Sequence, residues 1–234
     1  MEPFDPMRGQ NGRDLDLAGS DALVITETHL MRKPARGAVW VALASVAALT
    51  LLSLVYWGNT FGLAPYLPAS RVSVFHREEY WRLFTSIGVH ADVQHLLSNG
   101  IVYGVLAFLL YGYYGPGVYP GLSLGLGGLI TALAISTYPA QTLLVGASGV
   151  VYFMAAFWLT LFLWIERRLP WRKRVIRAVG FALIILVPTA IEPAVSYRTH
   201  AIGFAVGIAA GMAYFHRYKA KLRSSERYEH PFLH

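Results

Sequence analysis

Six stretches of the chain are apolar over the length of a membrane-spanning helix. About 20 consecutive apolar residues cross the hydrocarbon core of a bilayer, and hydropathy together with length predicts six helices. These predicted spans cover residues 38–56, 93–111, 119–135, 147–165, 174–191 and 199–215. No formal charge occurs between Asp92 and Glu166. The pattern therefore predicts an all-α polytopic membrane protein with a long loop, residues 57–92, after the first span.

Three clusters of basic residues test the number of spans. Lys and Arg beside apolar helices collect on the cytoplasmic side of a membrane. The clusters consist of Arg32, Lys33 and Arg36; Arg167, Arg168, Arg172, Lys173, Arg174 and Arg177; and Arg217, Lys219, Lys221, Arg223 and Arg227. Four predicted spans separate the first cluster from the second, and two separate the second from the third. Even numbers place all three on one side, so we expect both termini in the cytoplasm. The second, fourth and sixth spans then begin at the outer face.

The composition agrees with a membrane protein and narrows its chemistry. Of the 234 residues, 55% are hydrophobic and 14% are charged, a balance unlike that of a soluble domain. The chain contains no cysteine, which excludes disulfides, thiolate catalysis and cysteine metal sites. The net charge is +7, but the basic residues lie beside apolar runs. We therefore expect contact with the lipid bilayer rather than with nucleic acid.

The same pattern divides the chain into three regions. Residues 1–36 are polar and mixed in charge, and we expect a largely mobile cytoplasmic tail with a short ordered piece at 23–28. Residues 37–218 hold the six-helix core. Residues 219–234 form a basic cytoplasmic tail.

Polar residues recur at the outer ends of three predicted spans. They are His90, His95, Asn99, Ser148 and His200. Polar groups just inside a membrane cost free energy unless they are paired or face a wet cavity, so these are candidate functional residues. His95 and Asn99 are four positions apart and project from one helix face. Both can donate hydrogen bonds to an oxyanion, although polar links between helices would give the same pattern.

Ser148 lies between small residues in Gly146-Ala147-Ser148-Gly149. Gly146 and Gly149 leave the hydroxyl uncrowded and let another backbone come close, but such a motif alone is more often packing. A matching stripe on the sixth span consists of His200, Gly203, Gly207 and Gly211. If the two faces meet, His200 reaches the Ser148 hydroxyl as a general base. No Asp or Glu lies inside any predicted span, so we expect a Ser-His dyad with Tyr152 against the imidazole, in place of a triad.

In this order the motifs resemble those of the rhomboid intramembrane serine proteases. The matching residues are Glu79-Tyr80-Trp81-Arg82, His90, His95-Leu96-Leu97-Ser98-Asn99, Gly146-Ala147-Ser148-Gly149, Tyr152, and His200-Ala201-Ile202-Gly203 with Gly207 and Gly211. The resemblance covers residues from about 38 to 216. It implies a six-helix rhomboid bundle with a membrane-embedded first outer loop. We expect a serine endopeptidase without a metal or another cofactor.

The resemblance also implies the role of each residue at the site. Ser148 would be the nucleophile and His200 the general base. His95 and Asn99, with the Ser148 backbone amide, would hold the oxyanion. Tyr152 would stack beneath His200.

The surroundings of the site follow from the same resemblance. Trp81 and Arg82 would belong to the outer loop and brace the fold, and His90 would be structural beneath that loop. The six-span form indicates a prokaryotic plasma-membrane enzyme. Its substrates would be transmembrane proteins with a helix-destabilised segment, because a helical peptide bond must be unwound before it is cleaved.

Three other functions fit parts of the pattern. A transporter would need polar residues through the full depth of the membrane or broken helices at its midplane, whereas the inner halves of these spans are apolar. His90, His95 and His200 could hold zinc, but no His-Glu-x-x-His motif and no carboxylate accompany them. A non-enzymatic protein that binds membrane helices on the same scaffold is the third alternative.

Overall fold

The structure is a computed structural model that describes residues 23–190 and 196–230. Its main elements are seven helices and two short strands in these ranges. They are β1 (Val24–Glu27), α1 (Ala38–Trp57), α2 (Arg82–Gly88), α3 (Val93–Tyr114), α4 (Ser123–Ser136), α5 (Ser148–Ile165), α6 (Trp171–Ala190), α7 (Tyr197–Arg223) and β2 (Arg227–Glu229). Short helical turns cover Thr60–Gly62, Ala64–Tyr66, Val72–His76 and Gly117–Leu122, and His29–Met31 forms one more. The predicted all-α architecture is confirmed.

Four helical segments among the described residues are long and apolar enough to cross a membrane. They are Ala38–Trp57, Val93–Tyr114, Gly117–Ser136 and Ser148–Ile165, and they correspond to the first four predicted spans. Helices α6 and α7 correspond to the fifth and sixth predicted spans, but charged and polar residues make them less apolar than the other four. Arg172, Lys173 and Arg174 lie in the first turn of α6, and α7 carries Arg198 and His200 in its first turn. The count of six spans therefore stays a prediction.

Helices α3, α5 and α7 run in the same direction. The His95 ring at the start of α3 lies against Gly146, which precedes α5, and near the other end Tyr113 contacts Trp158 of α5. Gly203 of α7 likewise lies against Gly149, so the same ends of α5 and α7 meet. The N-terminal ends of the three helices therefore share one end of the bundle.

Helix α5 lies at the centre of the bundle and contacts α3, α4, α6 and α7. Its closest neighbour is α7, because the glycines of α7 face the α5 backbone. A Cβ atom at Gly203 would overlap the Gly149 carbonyl oxygen, and one at Gly207 would overlap the Phe153 carbonyl oxygen. At Gly211 a Cβ would lie 2.9 Å from Thr160 Cβ. Small residues at this spacing let two membrane helices approach backbone to backbone.

The segments next to the bundle are more ordered than the sequence predicted. Strand β1 covers most of the ordered piece expected at 23–28 and pairs antiparallel with β2. Helix α7 continues to Arg223, whereas we expected the sixth span to end near residue 215 and a tail to begin at 219. Ion pairs support the added structure, with Arg227 on Glu27 at 3.2 Å. Residues 1–22 and 231–234 of the predicted tails lie outside the described ranges.

Candidate active site

The backbone just before α5 has a conformation that requires glycine. Gly146 has a φ of 112°, in a region that side chains rarely adopt. A Cβ at this position would also lie 2.6 Å from Cε1 of His95. The turn therefore places the His95 imidazole directly beside the residues that lead into Ser148.

Ser148 and His200 lie in the first turns of two adjoining helices. Ser148 is the first residue of α5, and both side chains are buried, with 8% and 5% of their surfaces exposed. The ring of Tyr152, one turn along α5, stacks on the His200 imidazole with 3.9 Å between centroids and 15° between planes. In the described part of the chain no hydrogen bond joins Ser148 to His200. In unliganded enzymes such bonds are often long and tighten only when substrate is bound.

Asn99 presents an amide with unused hydrogen-bonding capacity. It is buried, with 1% of its surface exposed, and its Nδ2 donates to the His95 carbonyl oxygen at 3.0 Å. Its Oδ1 is buried and has no hydrogen-bond partner among the described residues. The Nδ2 group carries a second N–H, so Asn99 can donate to another acceptor while it keeps its bond to His95.

His90 forms hydrogen bonds that link different parts of the fold beside the candidate site. It is fully buried, and its Nε2 accepts from the Ala147 amide at 3.3 Å. The proton is therefore on Nδ1, which donates to Ser53 Oγ of α1 at 3.2 Å. The Ser53 hydroxyl in turn donates to the Gly88 carbonyl oxygen at 3.5 Å. Both ring nitrogens are used, so His90 is a structural residue in this arrangement and has no nitrogen left for a metal ion.

Arg82 holds the loop between α1 and α3. It is buried, with 4% of its surface exposed, and its Nε donates to Glu79 at 2.6 Å. Its Nη1 donates to the carbonyl oxygens of Pro65 at 2.7 Å and Pro68 at 2.9 Å. The neighbouring Trp81 is half exposed and donates from Nε1 to a loop carbonyl at 3.4 Å. Carbonyl groups of the loop thus accept hydrogen bonds from a charged donor within the protein.

Sequence reasoning missed the group that fixes the start of α7. Ser196 is the N-cap of this helix, and its side chain accepts from the Thr199 amide. The hydroxyl of Tyr138, from the loop before α5, lies 2.6 Å from Ser196 Oγ. Arg198 stacks over the Tyr138 ring at 5.2 Å. A serine directly before an apolar run is a recognised signal for the start of a helix. The position of Ser196 before the sixth predicted span could therefore have revealed this N-cap.

A second missed contact joins the site to α6. The Tyr152 hydroxyl donates to the Leu186 carbonyl oxygen at 3.3 Å. Tyr152 therefore contacts the general-base candidate with its ring and the neighbouring helix with its hydroxyl. A backbone carbonyl is not visible in a sequence pattern, so no signal could have predicted this bond.

A family model and a curated protein both match the part of the chain that contains the candidate site. The family model described as Rhomboid domain matches residues 77–217, a range that contains every candidate site residue. The mouse protein (Mus musculus) named Rhomboid-related protein 2 is 32% identical over 168 residues, which are 65% of this chain and 54% of that protein. The chain thus spans about half the length of this curated relative. It belongs to the rhomboid family of intramembrane proteases and is an integral membrane protein.

Proposed function

We propose that this chain is an intramembrane serine endopeptidase with a Ser148–His200 dyad. The observation that carries the proposal is the stacking of Tyr152 on His200 at 3.9 Å. Tyr152 lies one helical turn after Ser148, so this contact brings the imidazole to the turn of α5 that carries the hydroxyl. An imidazole beside a serine hydroxyl is the arrangement that activates a weak nucleophile.

The reaction follows the general scheme of acyl transfer. Ser148 Oγ attacks the carbonyl carbon of the scissile peptide, and its proton passes to His200. The C–N bond then breaks, and His200 returns the proton to the leaving amine. Water hydrolyses the resulting ester with the same base, which regenerates the serine hydroxyl.

The oxyanion of each tetrahedral intermediate needs donors fixed in advance. We assign this role to His95, Asn99 and the backbone amide of Ser148. Asn99 supports the assignment because its amide has an N–H beyond the one bonded to the His95 carbonyl. The contact of His95 with the Gly146 turn keeps its ring beside the nucleophile.

The substrates in this proposal are transmembrane proteins with a locally weakened helix. A regular helix hides the scissile carbonyl in its backbone hydrogen bonds, so glycine, proline or alanine near the membrane surface favours cleavage. We place both termini in the cytoplasm and the site toward the outer side of a prokaryotic plasma membrane. The proposed regions are a tail at 1–36, a protease core at 37–218 and a basic tail at 219–234.

Cleavage by purified protein tests the proposal directly. Wild-type protein in liposomes should cut a model single-span substrate, whereas Ser148→Ala and His200→Ala should remain folded and be inactive. Ser136 on α4 offers a matched control, since it is exposed and outside the site. Ser136→Ala should retain full activity. Wild-type rates from Ser148→Ala would refute the assignment of the nucleophile.

Covalent labelling separates an enzyme from a non-enzymatic helix-binding protein. A fluorophosphonate reacts with an activated serine and leaves an ordinary serine unmodified. We expect labelling of the wild type at Ser148 and none of His200→Ala. Wild-type protein that binds a transmembrane substrate but neither reacts nor cleaves would support the non-enzymatic function instead.

A further inference from the structure

A cavity of about 560 Å³ lies at the end of the bundle opposite the candidate active site. Its walls come from Tyr114 at the end of α3, from the turn Gly117–Leu122, and from α7 between Ala210 and Lys221. The candidate site lies at the N-terminal ends of α3, α5 and α7. This cavity lies toward the other end of α3 and α7, where basic residues collect, so no residue is shared between the two.

The lining of the cavity changes from apolar to cationic along α7. Val118, Leu122, Ala210 and Ala213 line its apolar part. Arg217 and Lys221, one turn apart, line its charged part and are both exposed. Neither of these two forms an ion pair within the described ranges of the chain. The cavity therefore presents two unneutralised charges beside a surface that favours hydrocarbon.

Aromatic residues surround the boundary between these two parts. Tyr214 and Tyr218 line the cavity, and their rings lie 4.6 Å apart. The guanidinium of Arg217 lies 5.4 Å from the Tyr218 ring. Tyrosines with an apolar ring and a polar tip are enriched at the depth of lipid headgroups. The arrangement thus has the layering of a membrane interface.

Tyr114 contributes its ring to the wall of the cavity. Its hydroxyl is buried, so the cavity does not reach this oxygen. A ligand in the cavity would therefore contact the ring of Tyr114 and not its hydroxyl.

We infer that this cavity binds one anionic glycerophospholipid of the cytoplasmic leaflet. The phosphate lies between Arg217 and Lys221, and an acyl chain covers the apolar part at Val118 and Leu122. Basic pockets between helices on the cytoplasmic side are typical binding sites for anionic headgroups. A free phosphate would satisfy the cations but would leave the apolar wall uncovered. The site does not depend on the proposed protease activity.

Native mass spectrometry of the purified full chain tests the inference. The protein is titrated with palmitoyl-oleoyl phosphatidylglycerol and, separately, with the phosphatidylcholine that has the same chains. We expect the wild type to bind one phosphatidylglycerol about tenfold more tightly than phosphatidylcholine. The double variant Arg217→Gln/Lys221→Gln should bind the two lipids about equally.

Lys219 provides the matched control. It lies between the two cations in the chain and is exposed, but it does not line the cavity. Lys219→Gln removes the same kind of charge and should keep the preference for phosphatidylglycerol. Equal loss of preference in Lys219→Gln, or an unchanged preference in the double variant, would overturn the inference. Thermal unfolding of each variant checks that the fold is retained.

A further arm identifies the ligand. Millimolar inorganic phosphate should leave lipid binding unchanged, and its displacement of phosphatidylglycerol would show a free-anion site instead.

Discussion

The ring of Tyr152 lies parallel to the imidazole of His200, at 3.9 Å between centroids. The contact joins α5 to α7, and the Tyr152 hydroxyl extends it to the Leu186 carbonyl of α6. In a serine protease triad an acid orients the histidine. In the proposed dyad, Tyr152 would orient His200 by stacking, while the backbone of α7 fixes its position.

The two functions of Tyr152 can be separated by substitution. Tyr152→Phe keeps the stacked ring and loses the bond to Leu186, so we expect kcat within about threefold of the wild type, since one lost neutral hydrogen bond is worth on the order of 1 kcal/mol. Tyr152→Ala frees the imidazole, and kcat should fall about 10- to 100-fold. Steady-state cleavage of a model substrate measures both. Equal activity in Tyr152→Ala and Tyr152→Phe would show that the stacking does not orient the base.

Gly203 allows the close contact on which the proposed dyad depends. Because a Cβ there would overlap the Gly149 carbonyl oxygen, Gly203→Ala must separate α7 from α5. We expect a loss of about 1–3 kcal/mol in the free energy of unfolding and loss of fluorophosphonate labelling at Ser148. Thermal unfolding and probe labelling measure the two effects.

Gly180 of α6 is the matched control for this substitution. Apart from its chain neighbours and the backbone of its own helix, no described atom lies within 4 Å of a Cβ built at Gly180, and alanine favours a helix over glycine. Gly180→Ala should therefore keep both stability and labelling. If Gly203→Ala also kept them, the backbone contact would not be needed to align the dyad.

The sequence predicted the fold where one kind of residue dominates a long stretch. Apolar runs located α1, α3, α4 and α5 to within a few residues. Glycine spacing made a contact between α5 and α7 a hypothesis, because small residues at intervals of three and four let two helices approach closely. The structure shows that contact. The end of α7 was misplaced because its last turns are polar, and hydropathy cannot separate a helix that leaves the membrane from a tail.

The surroundings of the candidate site could be predicted less well. Side-chain pairs such as His95 and Asn99 follow from helix periodicity. The bonds from His90 to Ser53 and Ala147 join residues far apart in the chain, and one partner is a backbone amide. Such contacts depend on the loop path between α1 and α3, for which no periodic pattern exists.

Arg82 should stabilise that loop more than any exposed arginine near it. One of its three hydrogen bonds is buried and the other two are partly buried, so Arg82→Gln leaves carbonyl groups and Glu79 without their charged donor. We expect a loss of about 3 kcal/mol in the free energy of unfolding. Arg77 is exposed and lies five positions away, and Arg77→Gln should change stability by less than about 0.5 kcal/mol. Thermal unfolding in one detergent compares them, and equal shifts would contradict the bracing role.

His29 should make stability depend on pH below neutrality. Burial lowers the pKa of His29 from its usual 6.5, and Arg32 and Lys221 lower it further, against the bond to Tyr113. The unfolded chain thus binds this proton more readily than the folded one. The contribution of His29 to the free energy of unfolding is complete above its usual pKa of 6.5. This contribution is lost as the pH falls toward the lowered pKa, by no more than about 1.4 kcal/mol per pH unit.

A glutamine at this position tests the pH effect. His29 Nε2 lies 3.0 Å from the Tyr113 carbonyl oxygen, and His29→Gln retains a donor there but cannot titrate. The melting temperature of the wild type relative to that of His29→Gln should therefore be lower at pH 5 than at pH 7. A constant difference over that range would mean that His29 does not gain a proton on unfolding.

Asn99 should affect the rate of the chemical step and leave substrate binding unchanged. The second N–H of its amide is the donor that we assign to the oxyanion, which forms only in the transition state. Asn99→Ala should lower kcat about 100-fold with KM within about twofold of the wild type. Asn99→Asp should have a kcat at least as low, because a carboxylate cannot donate a hydrogen bond and carries the same negative charge as the oxyanion. Gln94 is the control, because it is exposed in the first turn of the same helix. Gln94→Ala should cleave at the wild-type rate. A raised KM with unchanged kcat in Asn99→Ala would show that Asn99 binds substrate and does not stabilise the oxyanion.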